Sequence, residues 1–298
     1  MATALPDDTS GGSPTVLRIM LGGQLRQLRE SREISREAAG YEIRASESKI
    51  SRMELGRVGF KERDIADLLT LYGVEDPLER QRLLDFAREA NSPSWWHSYG
   101  DVLDPWFQSY LDFEEAAELI RTYEVQFVPG LLQTPEYSRA VIMLGHAGVT
   151  PEEMDRRVEL RRQRQQILDR PDAPQLWAVI DEAVLLRPVG GREVLREQIE
   201  ALLEACTLRT VRLQIMPFRS GGHAAMGGAF SILRFPEQGL PDVVYIEHLT
   251  SALYLEKRED VDQYAEAIGR LFIEAEPPDR TPDILRQALH HLDRDEDN

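Results

Sequence analysis

"ISREAAGYEIRASESKISRMELG", residues 34–56, decides the fold of the first part of this chain. Ser35 and Ser46 stand where helix N-caps belong, ahead of "REAAGYEIR" and of a helix over 47–55, and Gly56 supplies a C-terminal stop. Ala39 and Ile43 face Ile50 and Met53, and Gly40 lets two crossing backbones approach. The stretch reads as two short helices joined by a tight link at Arg44-Ala45, a helix-turn-helix. Outward from it, "LRIMLGGQLRQLRESR" (17–32) sets Leu17, Leu21, Leu25 and Leu28 at helical spacing. "KERDIADLLTLYGV" (61–74) is a fourth helix, and "DPLERQRLLDFAREA" (76–90) a fifth with Pro77 in its first turn. Residues 15–90 are therefore expected to form a five-helix, all-α domain.

The flanks differ in texture. Residues 1–14 carry acids and no apolar core, so they read as a disordered lead rather than a targeting peptide. "NSPSWWHSYGDVLDPW" (91–106) holds three of the four tryptophans and no period, the mark of an ordered interdomain segment. Helices are expected at 107–120, 135–146, 151–169, 192–206 and 259–275, and buried strands in "QLWAVIDEAVLL", "VRLQIMPF", "AFSILRF" and "DVVYIEHL". Residues 107–277 thus form a mixed α/β domain, followed at 278–298 by a short helix and an acidic tail. The fold class is α+β multidomain.

Composition narrows the function. No apolar run approaches the length of a membrane span, and the single cysteine, Cys206, excludes internal disulfides and cysteine-based zinc sites, which suits a cytoplasmic protein. The formal net charge of −17 argues against a nonspecific DNA coat. The charge is unevenly spread: residues 15–75 hold 11 basic and 10 acidic side chains, whereas 91–298 hold 21 and 36. A nearly neutral helical module therefore precedes a strongly acidic domain.

The string 34–56, with its Ile-Ser-Arg-x-Glu-x-Gly ending, resembles the xenobiotic-response-element (Cro/repressor-like) helix-turn-helix family, whose five-helix frame matches as well. In that geometry the second helix enters the major groove, which makes Glu47, Ser48, Lys49 and Arg52 the candidates for reading bases. Arg52 can pair bidentately with guanine, and Glu47 can accept from a cytosine amine. Arg36, Ser46, Arg57 and Lys61 are the candidates for phosphate contacts. The resemblance also implies a partly buried structural ion pair, Arg29 with Glu54. Arg44 departs from the family, which usually has glycine at that turn position. The same packing would also serve a helical protein-docking module.

In the acidic domain "YEVQFVPGLLQTPEYSRAVI", "RRVELRRQRQQIL", "DEAVLLRPVGG", "IMPFRSGGHAAMGGAFSILRFP" and "VVYIEHLTSALYLE" occur in that order. Together they resemble the uncharacterised C-terminal domain of actinobacterial regulators of the Scr-type antitoxin-like or WhiJ-like kind. That implies a transcriptional regulator, often paired with a small BldB-like or antitoxin-system partner protein, and brings no enzyme chemistry with it. By their own chemistry, His223 in the glycine-rich loop 220–228 and Glu247 on a strand are candidate polar contacts for a ligand or partner. The alternative is a tight inter-strand connection with a surface histidine. Asp181, Glu182 and Arg187 read as loop or interface residues at a strand end. Arg157, Arg161 and Arg164 form a basic helix face that reads as exposed and ion-paired. No histidine has metal-ligand spacing with another except the adjacent His290 and His291 near the C-terminus, which read as solvated, and neither metal, cofactor nor catalysis is expected.

The expected protein is a homodimer that binds a palindromic double-stranded DNA operator, nucleoid-associated when bound, with no membrane contact. Its acidic domain would sense a ligand or a partner protein. The rival reading is an antitoxin-like protein that sequesters a small partner and represses its own operon.

Overall fold

The computed structural model describes residues 14–294 apart from 147 and 237–239. The expected disordered lead lies outside the described residues except for Pro14, which opens the first helix. The described residues divide into two compact units, the first comprising 14–97, 109–116 and 240 and the second the remainder.

The first unit holds α1 (Pro14–Ser31), α2 (Arg36–Glu42), α3 (Glu47–Glu54), α4 (Glu62–Leu71) and α5 (Pro77–Ala90). Leu17, Leu21 and Leu25 of α1 pack on Ile50 and Met53 of α3 and on Phe86 of α5 in one apolar cluster. The approach of α1 to α3 is close enough that a Cβ on Gly22 would collide with the carbonyls of Met53 and Glu54. The ladder from sequence to packing is direct here, because the apolar period of each helix is the contact surface of the next.

The tryptophan-rich segment is ordered through a buried carboxylate. Trp95–Tyr99 form a short 3-10 helix, and Trp96 Nε1 donates to Asp112 at 2.8 Å. Asp112 also accepts from Thr15 Oγ1 at 2.5 Å. Asp112 lies on α6 (Pro105–Ala116), which begins two residues before the expected boundary at 107 and is shared between the two units.

The second unit is built on β1 (Leu119–Glu124), β2 (Gln175–Asp181), β3 (Val211–Met216), β4 (Phe230–Arg234), β5 (Val243–Glu247) and β6 (Ala252–Leu255). They form one sheet in the order β3-β2-β1-β4-β5-β6. β1, β2 and β3 are parallel, while β4, β5 and β6 form an antiparallel meander joined to β1. α7 (Pro135–Gly145) and α8 (Pro151–Gln165) connect β1 to β2; α9 (Ala183–Leu186) and α10 (Arg192–Ala205) connect β2 to β3. α11 (Arg258–Glu274) covers one face, where Ile268 and Leu271 meet Tyr123, Val179, Met216 and Val244. α12 (Thr281–Arg294) closes the described chain.

Two expectations are corrected. The central strand β1 lies where a helix to 120 was expected, because pairing with β2 and β4 takes over from the helical pattern of α6. "QLWAVIDEAVLL" is a strand only to Asp181, and its last residues make the single turn α9. The short helix expected in 278–298 is α12, which packs on α10 with Leu285 and Ala288 buried.

Candidate functional site

The turn between α2 and α3 is held by backbone and cap. Ala45 N–H donates to the Gly40 carbonyl at 2.7 Å, and a Cβ on Gly40 would stand 2.8 Å from the Ala45 oxygen. Arg44 takes φ +53°, the left-handed region that costs a side-chain-bearing residue on the order of 1 kcal/mol. That is the turn position where the resemblance led one to expect glycine. Ser46 then accepts from Lys49 N–H at 3.2 Å and caps α3, as Ser35 caps α2 through Ala38 N–H.

Behind α3 lies an ion-pair clamp. Glu54, on the inner side of α3, accepts from Arg29 Nε at 2.5 Å and from Arg29 Nη2 at 3.2 Å, and from Arg36 Nε at 2.9 Å. Arg29 and Glu54 are both buried. The hydrogen bond to Glu54 raises the Arg29 guanidinium above its ordinary value against the opposing cost of burial. The same arginine donates to the Ile34 carbonyl at 2.8 Å, so one side chain ties α1 to both halves of the motif.

The outer side of α3 carries Glu47, Ser48 and Arg52, all exposed, with Ser48 and Arg52 one turn apart. Arg57 and Lys61 are exposed beyond its C-terminus. The structure does not bring Lys49 and Arg36 to this surface as free cations. Lys49 Nζ lies 2.6 Å from Asp64 and Arg36 pairs with Glu54, because both acids are buried and require a counter-charge. The hydroxyl of Ser46 is engaged in its cap. Sequence reasoning passed over Tyr41, which is 85% exposed at the end of α2. An aromatic at the end of a helix with no core partner was the available signal.

In the second unit, residues alternate across the sheet, and this separates the two candidates that were read together. His223 lies on the α11 face, where its Nε2 is 3.0 Å from Tyr123 Oη. Ala225 N–H donates to His223 Nδ1 at 3.2 Å, which orients the ring so that Nε2 faces Tyr123 Oη. Tyr123 Oη lies 3.5 Å from Asp181 Oδ2 and completes a row of three polar groups at the carboxyl edge. Burial, with Asp181 adding to it, pushes the Tyr123 phenol up.

Glu247 stands on the opposite face, where it accepts from Tyr245 Oη at 2.8 Å. Its neighbour there is Glu124 at the end of β1, whose carboxyl is pushed up to about 8 by burial and then by the charge of Glu247, against a lowering by Arg164. The basic face of α8 also differs from expectation. Arg164 is buried over the Phe107 ring, 5.3 Å from its centroid, and Arg161 donates to Gln133 at 2.5 Å. These arginines turn inward to hold the segment after β1, while Arg139 with Asp155 and Arg162 with Glu159 make the exposed pairs. Arg187 is exposed, and Glu182 accepts from Phe218 N–H at 2.7 Å.

The first unit is thus a helix-turn-helix with an exposed second helix, the form of a DNA-binding regulator. A helix-turn-helix domain model matches residues 20–83. A second model, described as a domain of unknown function (DUF5753), matches residues 107–287, more than half of the chain, and the chain belongs to that family. No curated protein and no solved structure matches the chain. Among the described residues no helix is long and apolar enough to cross a membrane.

Proposed function

We propose that the chain is a transcriptional regulator that binds an operator sequence-specifically as a dimer, and that the second unit controls that binding in response to a ligand or partner. The observation that carries the reading is the division of labour on α3. Its inner side is locked by Glu54, Arg29 and Arg36, and its outer side offers Glu47, Ser48 and Arg52 to solvent. A helix held that rigidly can place three side chains on base edges, with Arg57 and Lys61 at phosphates. The reading requires no catalytic step.

Two-fold symmetry would place two such helices in successive major grooves about 34 Å apart on a palindromic site. Selection of bound sequences from a random DNA pool tests this directly. Enrichment of an inverted repeat with half-sites one helical turn apart supports the dimer, a single half-site refutes it, and no enrichment removes sequence reading altogether.

A further inference from the structure

The amino-terminal end of the parallel strands carries a groove that none of the preceding chemistry uses. Two adjoining cavities of about 180 and 290 Å³ share Trp177, Arg212 and Pro278. The smaller is lined on its far side by Gln175, Cys206 and Arg209, the larger by Phe272, Ile273 and Pro277. One lobe is therefore cationic and polar, and the other apolar.

Trp177 is the wall between them. The Arg212 guanidinium stands 4.7 Å from its ring centroid, and Phe272 meets the ring edge-on at 5.7 Å. A guanidinium stacked on an aromatic face keeps its in-plane N–H donors free for a planar anion. Arg209 and Arg212 are exposed, and among the described residues neither has an acidic partner. In the same unit Arg139, Arg156, Arg162, Arg196, Arg234 and Arg270 are paired with carboxylates. Of the acids that flank the apolar lobe in sequence, Glu274 is engaged by Arg270 and Glu276 by Arg219, while Asp279 is exposed beside Pro278. The apolar lobe leaves Ile273 85% exposed, a side chain that gains by being covered.

We propose that this groove binds a small organic anion with a flat apolar body, its acidic group on Arg209 and Arg212 and its ring against Trp177, Phe272 and Ile273. The two lobes together match the size of a small-molecule site, roughly 300–1,000 Å³. Charge selects the occupant: two unpaired arginines would oppose an amine and leave a neutral ligand with no gain from that lobe. The inference stands whether or not the chain reads DNA as a dimer.

The test is a fluorescence titration of the full chain with 8-anilinonaphthalene-1-sulfonate, alongside its uncharged analogue N-phenyl-1-naphthylamine. Cys206, the chain's single cysteine, lines the polar lobe and reports occupancy through its rate of alkylation by iodoacetamide. Saturable one-to-one binding of the sulfonate, tenfold weaker for the uncharged analogue, is expected. Binding should fall at least tenfold in the Arg209→Gln, Arg212→Gln double variant and in Ile273→Asp, both confined to exposed side chains. Saturating sulfonate should slow Cys206 alkylation at least fivefold. Absence of saturable binding, unchanged affinity in both variants, or unslowed alkylation at saturation would each overturn the proposal.

Discussion

Arg29 and Glu54, 25 residues apart in sequence, meet in a two-bond pair at 2.5 and 3.2 Å in the interior of the first unit. The pair fixes α3 on α1, so it sets the angle at which the exposed side of α3 is offered. Arg29→Ala leaves Glu54 buried with only the half-exposed Arg36 as partner. Such losses run to about 3–5 kcal/mol, and a denaturant melt of the variant is expected to fall in that range. Arg36→Ala should cost about 1 kcal/mol, because Arg29 still satisfies the acid. Equal losses from the two variants would refute this ordering.

Arg52 and Lys61 should separate by the kind of loss they cause. Arg52→Ala is expected to weaken binding to a selected operator by about 1–3 kcal/mol and to relax preference at one base pair. Lys61→Ala should weaken all sequences alike and reduce the slope of log affinity against log salt by about 1. Mobility-shift titrations at three salt concentrations distinguish these outcomes.

Gly22 and Gly23 are neighbours with opposite fates. An alanine at 22 drives its methyl into the Met53 and Glu54 carbonyls, whereas an alanine at 23 meets nothing within 4 Å. Gly22→Ala should therefore destabilise the unit by 2 kcal/mol or more, about the cost of overpacking a core. Gly23→Ala should stabilise it by about 0.5–1 kcal/mol, the gain of alanine over glycine inside a helix. Thermal melts of the two single variants check the signs.

Arg44 holds a left-handed backbone with a full side chain. Arg44→Gly removes that cost and adds chain entropy to the unfolded state, so a net gain of up to ~1 kcal/mol is expected. A melting temperature lowered by the substitution would show that the arginine side chain contributes more than its backbone costs.

Glu124 ties stability to pH. Its carboxyl, pushed up to about 8, holds a proton in the folded chain that the unfolded chain has already released at the ordinary carboxylate pKa. Folding therefore loses stability as pH rises from about 5, and the loss levels off above 8. Glu124→Gln should be nearly neutral at pH 5 and stabilising at pH 9, by on the order of 2 kcal/mol once solvent screening of its half-buried side chain is allowed for. Chemical denaturation at the two pH values measures the difference.

The five helices of the first unit were legible because each carries its own cap, period or stop: Ser35, Ser46, Gly56 and Pro77 are local signals. β1 was not, since "LIRTYE" follows α6 with neither glycine nor proline between them, and only pairing with distant strands makes it extended. α12 was legible as a short helix, whereas its packing on α10, with Leu285 and Ala288 buried, depends on contacts distant in sequence. Around the outer side of α3, sequence reveals the charge of Lys49 and Arg36 but not the buried acids that claim them. Asp64 reads as a surface residue of α4 until the fold encloses it. His223 and Glu247 were read together as polar contacts on the strength of their chemistry alone, whereas the pleat places them on opposite faces.

The outer edge of β3 is closed by the chain that follows α11. Glu276 N–H donates to the Ile215 carbonyl at 2.9 Å, and Thr281 Oγ1 to the Leu213 carbonyl at 2.7 Å. Those two carbonyls would otherwise form an open template for another strand. The segment from 276 to 281 thus acts as a guard against misassembly. A proteolytic nick or frameshift before Glu276 would leave most of the sheet intact yet convert its parallel edge into a nucleus for stacking chain upon chain.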